Sequence, residues 1–281
     1  MDTTGRGTGV LMFNGIMNKI SCVMPTYRRF NCVERSIACF LSQAVDVDIE
    51  LIICNTDVEY PLVLDHTFTQ DDIHKIKIYN NNIDCQTGEP YTSTGAIRRD
   101  GVSRSSGNLY VTWDDDDIFL PWNLQQCLDG ISRTGAKAWK PYKNILWWRE
   151  TPEVDRNVLE ATVIMRIEEA VFENNSGPEG MKWFNRLQQS GDLIEDQYSI
   201  PSYCYYWIDP REIGGHKQGN SADINDPNNF TNHMNKSVDK ATRSLTKRSI
   251  TDYKSIYQHF KNFFPEDNQL VQKYVPANFF I

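Results

Sequence analysis

Ile20-Ser21-Cys22-Val23-Met24 is a short apolar run stopped by Pro25. Runs of the same kind return at Glu50-Leu51-Ile52-Ile53-Cys54, Ile76-Lys77-Ile78-Tyr79 and Leu109-Tyr110-Val111-Thr112-Trp113. Runs of this length and apolarity are the pattern of strands buried on both faces. Between the first two, Val33, Ile37, Phe40 and Leu41 recur at helical spacing, and a second helix is expected over 93–106. Strands alternating with helices predict an α/β fold with a mostly parallel central sheet and helices on both faces. Further along, strands are expected within 136–148 and 161–165, a helix around Trp183, Phe184 and Leu187, and an extended segment over 201–207. Ile250, Tyr253, Tyr257, Phe260 and Phe264 fall on one face of a helical tail, which reads as a packing surface. The expected division is a flexible extension over 1–16, a main domain over 17–230 and a helical C-terminal appendage over 231–281.

A chain of 281 residues with 40% hydrophobic side chains can bury a large core. Its formal charge of −8 argues against a dedicated nucleic-acid binder. The tail is the exception, since 232–281 carry eight Lys or Arg against four Asp or Glu. Seven cysteines, an odd number without a Cys-x-x-Cys pair, read as free thiols in a reducing compartment, and cytoplasmic residence is expected. No run of about 20 apolar residues is present to span a membrane, and no signal peptide is expected.

The chemistry is expected where strands end, because ligands of open α/β sheets bind beyond the carboxyl ends of the strands. The first strand ends in Pro25-Thr26-Tyr27-Arg28. The fourth runs straight into Asp114-Asp115-Asp116-Asp117. Four consecutive carboxylates repel one another unless they are solvated or neutralised by a cation. Directly after a buried strand they suggest a site for Mn²⁺ or Mg²⁺, ions held by one or two carboxylates together with substrate phosphates. An acidic loop or helix start before Pro121 is the plainer reading.

These segments together resemble the inverting glycosyltransferases of family 2, which have the Rossmann-like GT-A fold. The resemblance is carried by Pro25-Thr26-Tyr27-Arg28-Arg29, then Ser42-Gln43, Glu50-Leu51-Ile52-Ile53-Cys54-Asn55-Thr56-Asp57, Ile97-Arg98-Arg99-Asp100-Gly101, Gly107-Asn108-Leu109-Tyr110-Val111 and the aspartate run, in the family's order and spacing. It covers about residues 19–220 and departs at Asn55-Thr56, where the family usually has two acids.

The resemblance implies a metal-dependent enzyme that takes a sugar from a nucleotide-sugar, a UDP-sugar by default, and passes it to an acceptor hydroxyl. Pro25, Thr26, Tyr27, Arg28, Asn55 and Asp57 would line the donor nucleoside. Arg98 would reach the nucleotide or diphosphate, and Asp114 and Asp115 would also contact the donor. Asp114, Asp116 and Asp117 would serve the metal, with His216 as a further ligand from Gly214-Gly215-His216. Aligning Arg186-Leu187 with the family's Arg-Leu makes Glu179 the candidate general base, with Glu173, Asp192 and Glu195 in reserve. Trp147, Trp148, Trp183 and Trp207 read either as acceptor platforms or as core.

The acceptor stays open between a glycan, a glycoconjugate and a nucleic-acid base. The last would be reached as in enzymes that glycosylate hydroxymethylated phage DNA. A non-catalytic module that binds sugar-nucleotides or glycans is the reading from outside enzymology.

Overall fold

The structure is a computed structural model, and it describes residues 12–13, 16–147, 151–174, 181–206, 242–277 and 279–280. A two-stranded antiparallel hairpin, β1 (Met12–Phe13) and β2 (Ile16–Met17), precedes the main sheet. Part of the stretch 1–16, expected as loose, is therefore paired.

The main sheet starts with β3 (Lys19–Thr26), followed by α1 (Phe30–Leu41) and β4 (Asp48–Asn55). Then come β5 (Leu62–Leu64), α2 (Gln70–Lys75), β6 (Ile76–Asn80), α3 (Thr94–Ser103) and β7 (Leu109–Thr112). After the aspartate run follow β8 (Ile118–Phe119), α4 (Asn123–Thr134), β9 (Ala138–Pro141), β10 (Lys143–Trp147), β11 (Glu153–Arg156) and β12 (Ile164–Arg166). Helix α5 (Met181–Ser190), β13 (Leu193–Asp196) and β14 (Tyr203–Tyr206) complete the middle of the chain. The C-terminal part holds β15 (Arg243–Leu245), α6 (Lys254–Gln258) and α7 (Gln269–Tyr274).

Seven strands make the central sheet in the order β13-β9-β12-β7-β3-β4-β6, and β12 alone runs against the others. The expected α/β architecture is thus present. The order β6-β4-β3-β7 reverses the direction of winding between β3 and β7, which makes their carboxyl ends a topological switch point. A second sheet, β11-β10-β14-β8, stands beside the aspartate run.

Strand periodicity sorts the core into two layers. Ile20, Cys22 and Met24 of β3, with Leu51 and Ile53 of β4, face a cluster closed by α1 and α4 through Val33, Ile37, Phe40, Leu124 and Leu128. Val23, Ile52 and Tyr110 face the other way, onto Ala96 and Ile97 of α3 and Trp183 and Leu187 of α5. Two glycines of the sequence motif have packing reasons. A Cβ on Gly101 would lie 2.3 Å from Val23 Cγ1, so its absence lets α3 press onto β3. A Cβ on Gly107 would lie 2.5 Å from the Lys19 carbonyl oxygen, where the chain turns into β7.

Two expectations change. Within 161–165 the chain first makes a 3-10 turn, Glu160–Thr162, and pairs only from Ile164. The apolar stripe of the tail is buried as expected at Tyr257, Phe260 and Phe264, but on a chain broken into short helical turns. Among the described residues the tail packs against the main domain. Tyr257, Phe260, Phe264 and Val271 belong to the same cluster as β3 and α1, Trp122 packs edge-on against Phe264, and β15 pairs in parallel with β5. All seven cysteines are free thiols, and Cys22, Cys39 and Cys54 are buried. Among the described residues no helix is long and apolar enough to cross a membrane.

Candidate active site

Strand β3 delivers Thr26 and the turn Tyr27-Arg28-Arg29 to the switch point. Pro25 pairs with Cys54 of β4, and Thr26 with Asn55. Arg28 then adopts a left-handed backbone, φ 55°, uncommon for a residue with a side chain. This kink sends successive arginines to different partners. Arg28 goes to the β4 side, its Nε donating to Asp57 at 2.9 Å and its guanidinium lying 5.0 Å from the Tyr27 ring. Arg29 goes to the β7 side, where one nitrogen donates to Asp115 at 2.9 Å and to Asp116 at 2.7 Å.

The four aspartates have separate environments. Asp114 receives Arg98 of α3 at 2.6 Å, and its side chain is 24% exposed. Asp115 is 3% exposed and accepts from the Thr26 hydroxyl at 2.6 Å. Burial pushes the Asp115 carboxyl up and Arg29 pulls it back, leaving it raised. Burial also opposes the Arg29 charge, but Asp115 and Asp116 outweigh it and the guanidinium is held more firmly protonated than usual. Arg35 of α1 adds a hydrogen bond of 2.5 Å to the Asp116 carbonyl. Asp117 faces the second sheet, accepting from the Tyr203 hydroxyl and from the Tyr206 amide. Burial, with Asp116 and Asp114 nearby, holds the Asp117 carboxyl well above the usual range. Guanidinium groups thus meet the run at three of its four residues.

Asn55, standing where the resembled family has an acid, is used up internally. Its amide nitrogen donates to the Asp57 and Tyr60 carbonyls and to Asn80 Oδ1, and its oxygen accepts from the Asp57 amide. Asp57 takes Arg28 on one oxygen and the Glu59 amide on the other. Beside them a cavity opens at the ends of β3 and β4, lined by Thr26, Arg28, Arg29, Asn55, Asp57 and Tyr60. Of the residues expected at the nucleoside, Thr26, Arg28, Asn55 and Asp57 line this cavity and Pro25 and Tyr27 do not, and Arg29 links the cavity to Asp115 and Asp116.

Arg29, Arg35 and Tyr203 are site residues that the sequence did not assign. The signal for Arg29 stood beside Arg28 in the motif, and only the kink separates their roles. Glu160 opens the 3-10 turn before β12; burial raises its carboxyl pKa, and the charges of Arg98 and Asp114 act on it.

Glu179 and His216 lie outside the described residues, as do Trp148 and Trp207. Trp147 and Trp183 are buried in the core. Of the reserve carboxylates, Glu173 is paired with Lys182 on the surface. Asp192 precedes β13, at the sheet edge opposite Asp114, and binds Lys137 at 3.0 Å. Glu195 meets Arg156 at 3.4 Å.

No three His, Cys, Asp or Glu among the described residues form a group able to hold a metal ion. Asp114 and Asp116 do offer hard oxygen donors, and Asp114 is open to solvent. Such a pair fits Mg²⁺ or Mn²⁺ when substrate phosphates complete the shell.

No family model matches the sequence, and no curated protein matches it significantly. Solved structures with a related chain course include Staphylococcus aureus TarS, 12% identical over 69% of this chain with a TM-score of 0.44. The match covers 37% of that chain, so this protein spans well under two thirds of its length. Others are the mannosyltransferase PcManGT from Pyrobaculum calidifontis in complex with GDP-Man and Mn²⁺ (10% identity, 69% of this chain and 58% of that, TM-score 0.47) and glucosyl-3-phosphoglycerate synthase from Mycobacterium tuberculosis in complex with Mn²⁺, UDP and glucosyl-3-phosphoglycerate (13% identity, 76% and 81%, TM-score 0.49).

Proposed function

We propose that this chain is a glycosyltransferase of the family 2 kind, moving a sugar from a nucleoside-diphosphate sugar to an acceptor hydroxyl with inversion. One observation carries the reading. The switch point brings Thr26 from the end of β3, Arg29 from the start of α1, Arg98 from α3 and Asp114–Asp116 from the end of β7 into one cluster beside a cavity. A nucleotide laid along that edge meets donors for its phosphates and carboxylates for a divalent cation.

Asp114 and Asp116 are assigned the metal, Mn²⁺ or Mg²⁺, with His216 as a further ligand. The bound ion would act as a Lewis acid on the departing diphosphate. Thr26 and Arg29 position the carboxylate run, Arg98 serves the diphosphate, and Tyr27, Arg28 and Asp57 wall the nucleoside. Asp117, engaged at both oxygens, anchors the second sheet to the site. Glu179 takes the proton of the attacking hydroxyl, an assignment that rests on the family resemblance. UDP-sugar is the default donor.

The basic tail gives little support to a nucleic-acid acceptor. Lys247 is paired with Asp72, Arg248 with Glu34 and Lys273 with Asp129, so these charges tie the tail to the domain.

The test is to incubate the protein with Mn²⁺ and a panel of UDP-, GDP- and dTDP-sugars and to follow nucleotide release. Metal-dependent release from one donor, lost in D116A, is the expected result. Metal-dependent nucleotide binding without release would make the chain a binding module. Neither release nor nucleotide binding by calorimetry would overturn the reading.

A further inference from the structure

Arg243 reaches the donor cavity from the far end of the sequence. It opens β15, which runs parallel to β5 with Arg243 opposite Leu62, and its amide donates to the Pro61 carbonyl at 2.8 Å. Its guanidinium lies 5.0 Å from the centroid of the Tyr60 ring, and Arg28 lies over the same ring at 5.9 Å. Arg243 and Tyr60 line the cavity together with Thr26, Arg28, Asn55 and Asp57.

The strand that carries Arg243 is firmly clamped. Leu245 is fully buried, and its carbonyl accepts from the Asp65 amide at 3.0 Å. The Thr246 amide donates to Glu34 of α1 at 2.8 Å, and Lys247 meets Asp72 of α2 at 2.6 Å. The position of Arg243 is thus fixed by several independent contacts. Among the described residues Arg243 has no carboxylate partner, whereas Arg28 and Arg29 each have two and Arg98 has Asp114.

Sheet geometry says which end of a nucleotide Arg243 meets. Asp114 follows β7, and β3 separates β7 from β4, so the carboxylate run and the end of β4 are about 10 Å apart. The tail strand β15 lies beyond, on the β5 side. A diphosphate beside Asp114 and Arg98 therefore places its nucleoside toward Asp57, Tyr60 and Arg243. A guanidinium on an aromatic ring presents a flat, cationic surface of the kind on which bases stack.

We infer that Arg243, supported by Tyr60, is the stacking platform for the base of the donor nucleotide, so that the C-terminal segment completes the donor site. This rests on the glycosyltransferase reading. It makes Arg243 a binding residue and assigns it no part in the transfer step.

The test is calorimetry on the full chain with UDP, GDP, dTDP and inorganic pyrophosphate, for wild type, R243A and R243K, with melting curves for each. R243A is expected to weaken the preferred nucleotide about tenfold. Pyrophosphate affinity should stay within twofold. R243K keeps the charge without the plane and is expected to behave like R243A, and it is the variant to read should R243A not fold. Unchanged nucleotide affinity in both variants would overturn the inference and leave the glycosyltransferase reading standing. An equal loss for pyrophosphate would mean that Arg243 serves phosphate, overturning the stacking role. A wild type that binds no nucleotide would overturn both.

Discussion

The hydroxyl of Thr26 donates to the carboxylate of Asp115 across 2.6 Å, joining the end of β3 to the residues that follow β7. Both partners are nearly inaccessible, and the bond closes the switch point on its inner side. Replacing Thr26 by valine keeps the shape and removes the donor, leaving a buried carboxylate with one partner fewer. Such a loss costs about 1–3 kcal/mol. T26V should therefore lower the urea midpoint by a matching amount. An unchanged midpoint would mean that Asp115 is served by Arg29 alone.

Arg29 touches both Asp115 and Asp116. With its side chain 16% exposed, it belongs to the class of buried ion pairs in which removing one member strands the other's charge. R29M is expected to destabilise the fold by about 3–5 kcal/mol. Neutralising one of the stranded acids should restore part of this, so R29M/D116N should be more stable than R29M. A double-mutant cycle on denaturation midpoints reads the coupling. Strictly additive effects would deny the pair an energetic role.

The sheet was legible because buried strands leave continuous apolar runs, and β3, β4, β6 and β7 each appear within about two residues of the expected place. Helix α4 was equally open to view, since Leu124, Cys127, Leu128 and Ile131 recur at helical spacing and Gly135 ends the helix in a left-handed cap. The site divided differently. Gly101, Gly107 and the aspartates announce themselves by type and spacing. The separate duties of Arg28 and Arg29 depend on one backbone angle that a motif does not encode. Arg243 lies about 180 residues from its partner Tyr60, and a three-residue strand leaves too little pattern to predict such a pairing.

Lys140 is fully buried on β9, its ammonium donating to the Asn157 carbonyl at 2.6 Å with Glu195 3.9 Å away. Burial lowers its pKa to about 8, against an ordinary value of 10.5. Between those two values the unfolded chain holds a proton that the folded chain has released. Stability from this residue therefore rises as pH climbs through the window, and the penalty for its buried charge is fully present below it. Relative to K140M, the wild type should gain on the order of 1–3 kcal/mol between pH 7.5 and pH 10. Denaturation midpoints of the two proteins at both pH values give the difference directly. Parallel curves would show that Lys140 titrates as an ordinary lysine.

On the proposed transfer reaction, Glu179 and Glu160 are the two candidates for the general base. Glu179 is assigned by resemblance. Glu160 is assigned by nothing in the sequence, yet it is partly buried, and burial raises its carboxyl in the field of Arg98 and Asp114. A general base contributes about 10²–10⁴ to the rate without being needed to hold the donor. E179Q should lower transfer at saturating donor by at least about 10², while nucleotide affinity stays within twofold. E160Q should retain most of the transfer rate. The reverse pattern, with E160Q silent and E179Q active, would move the base to the turn that precedes β12. The acid would then lie next to the strand paired with β7, on a part of the chain that the family motif does not mark.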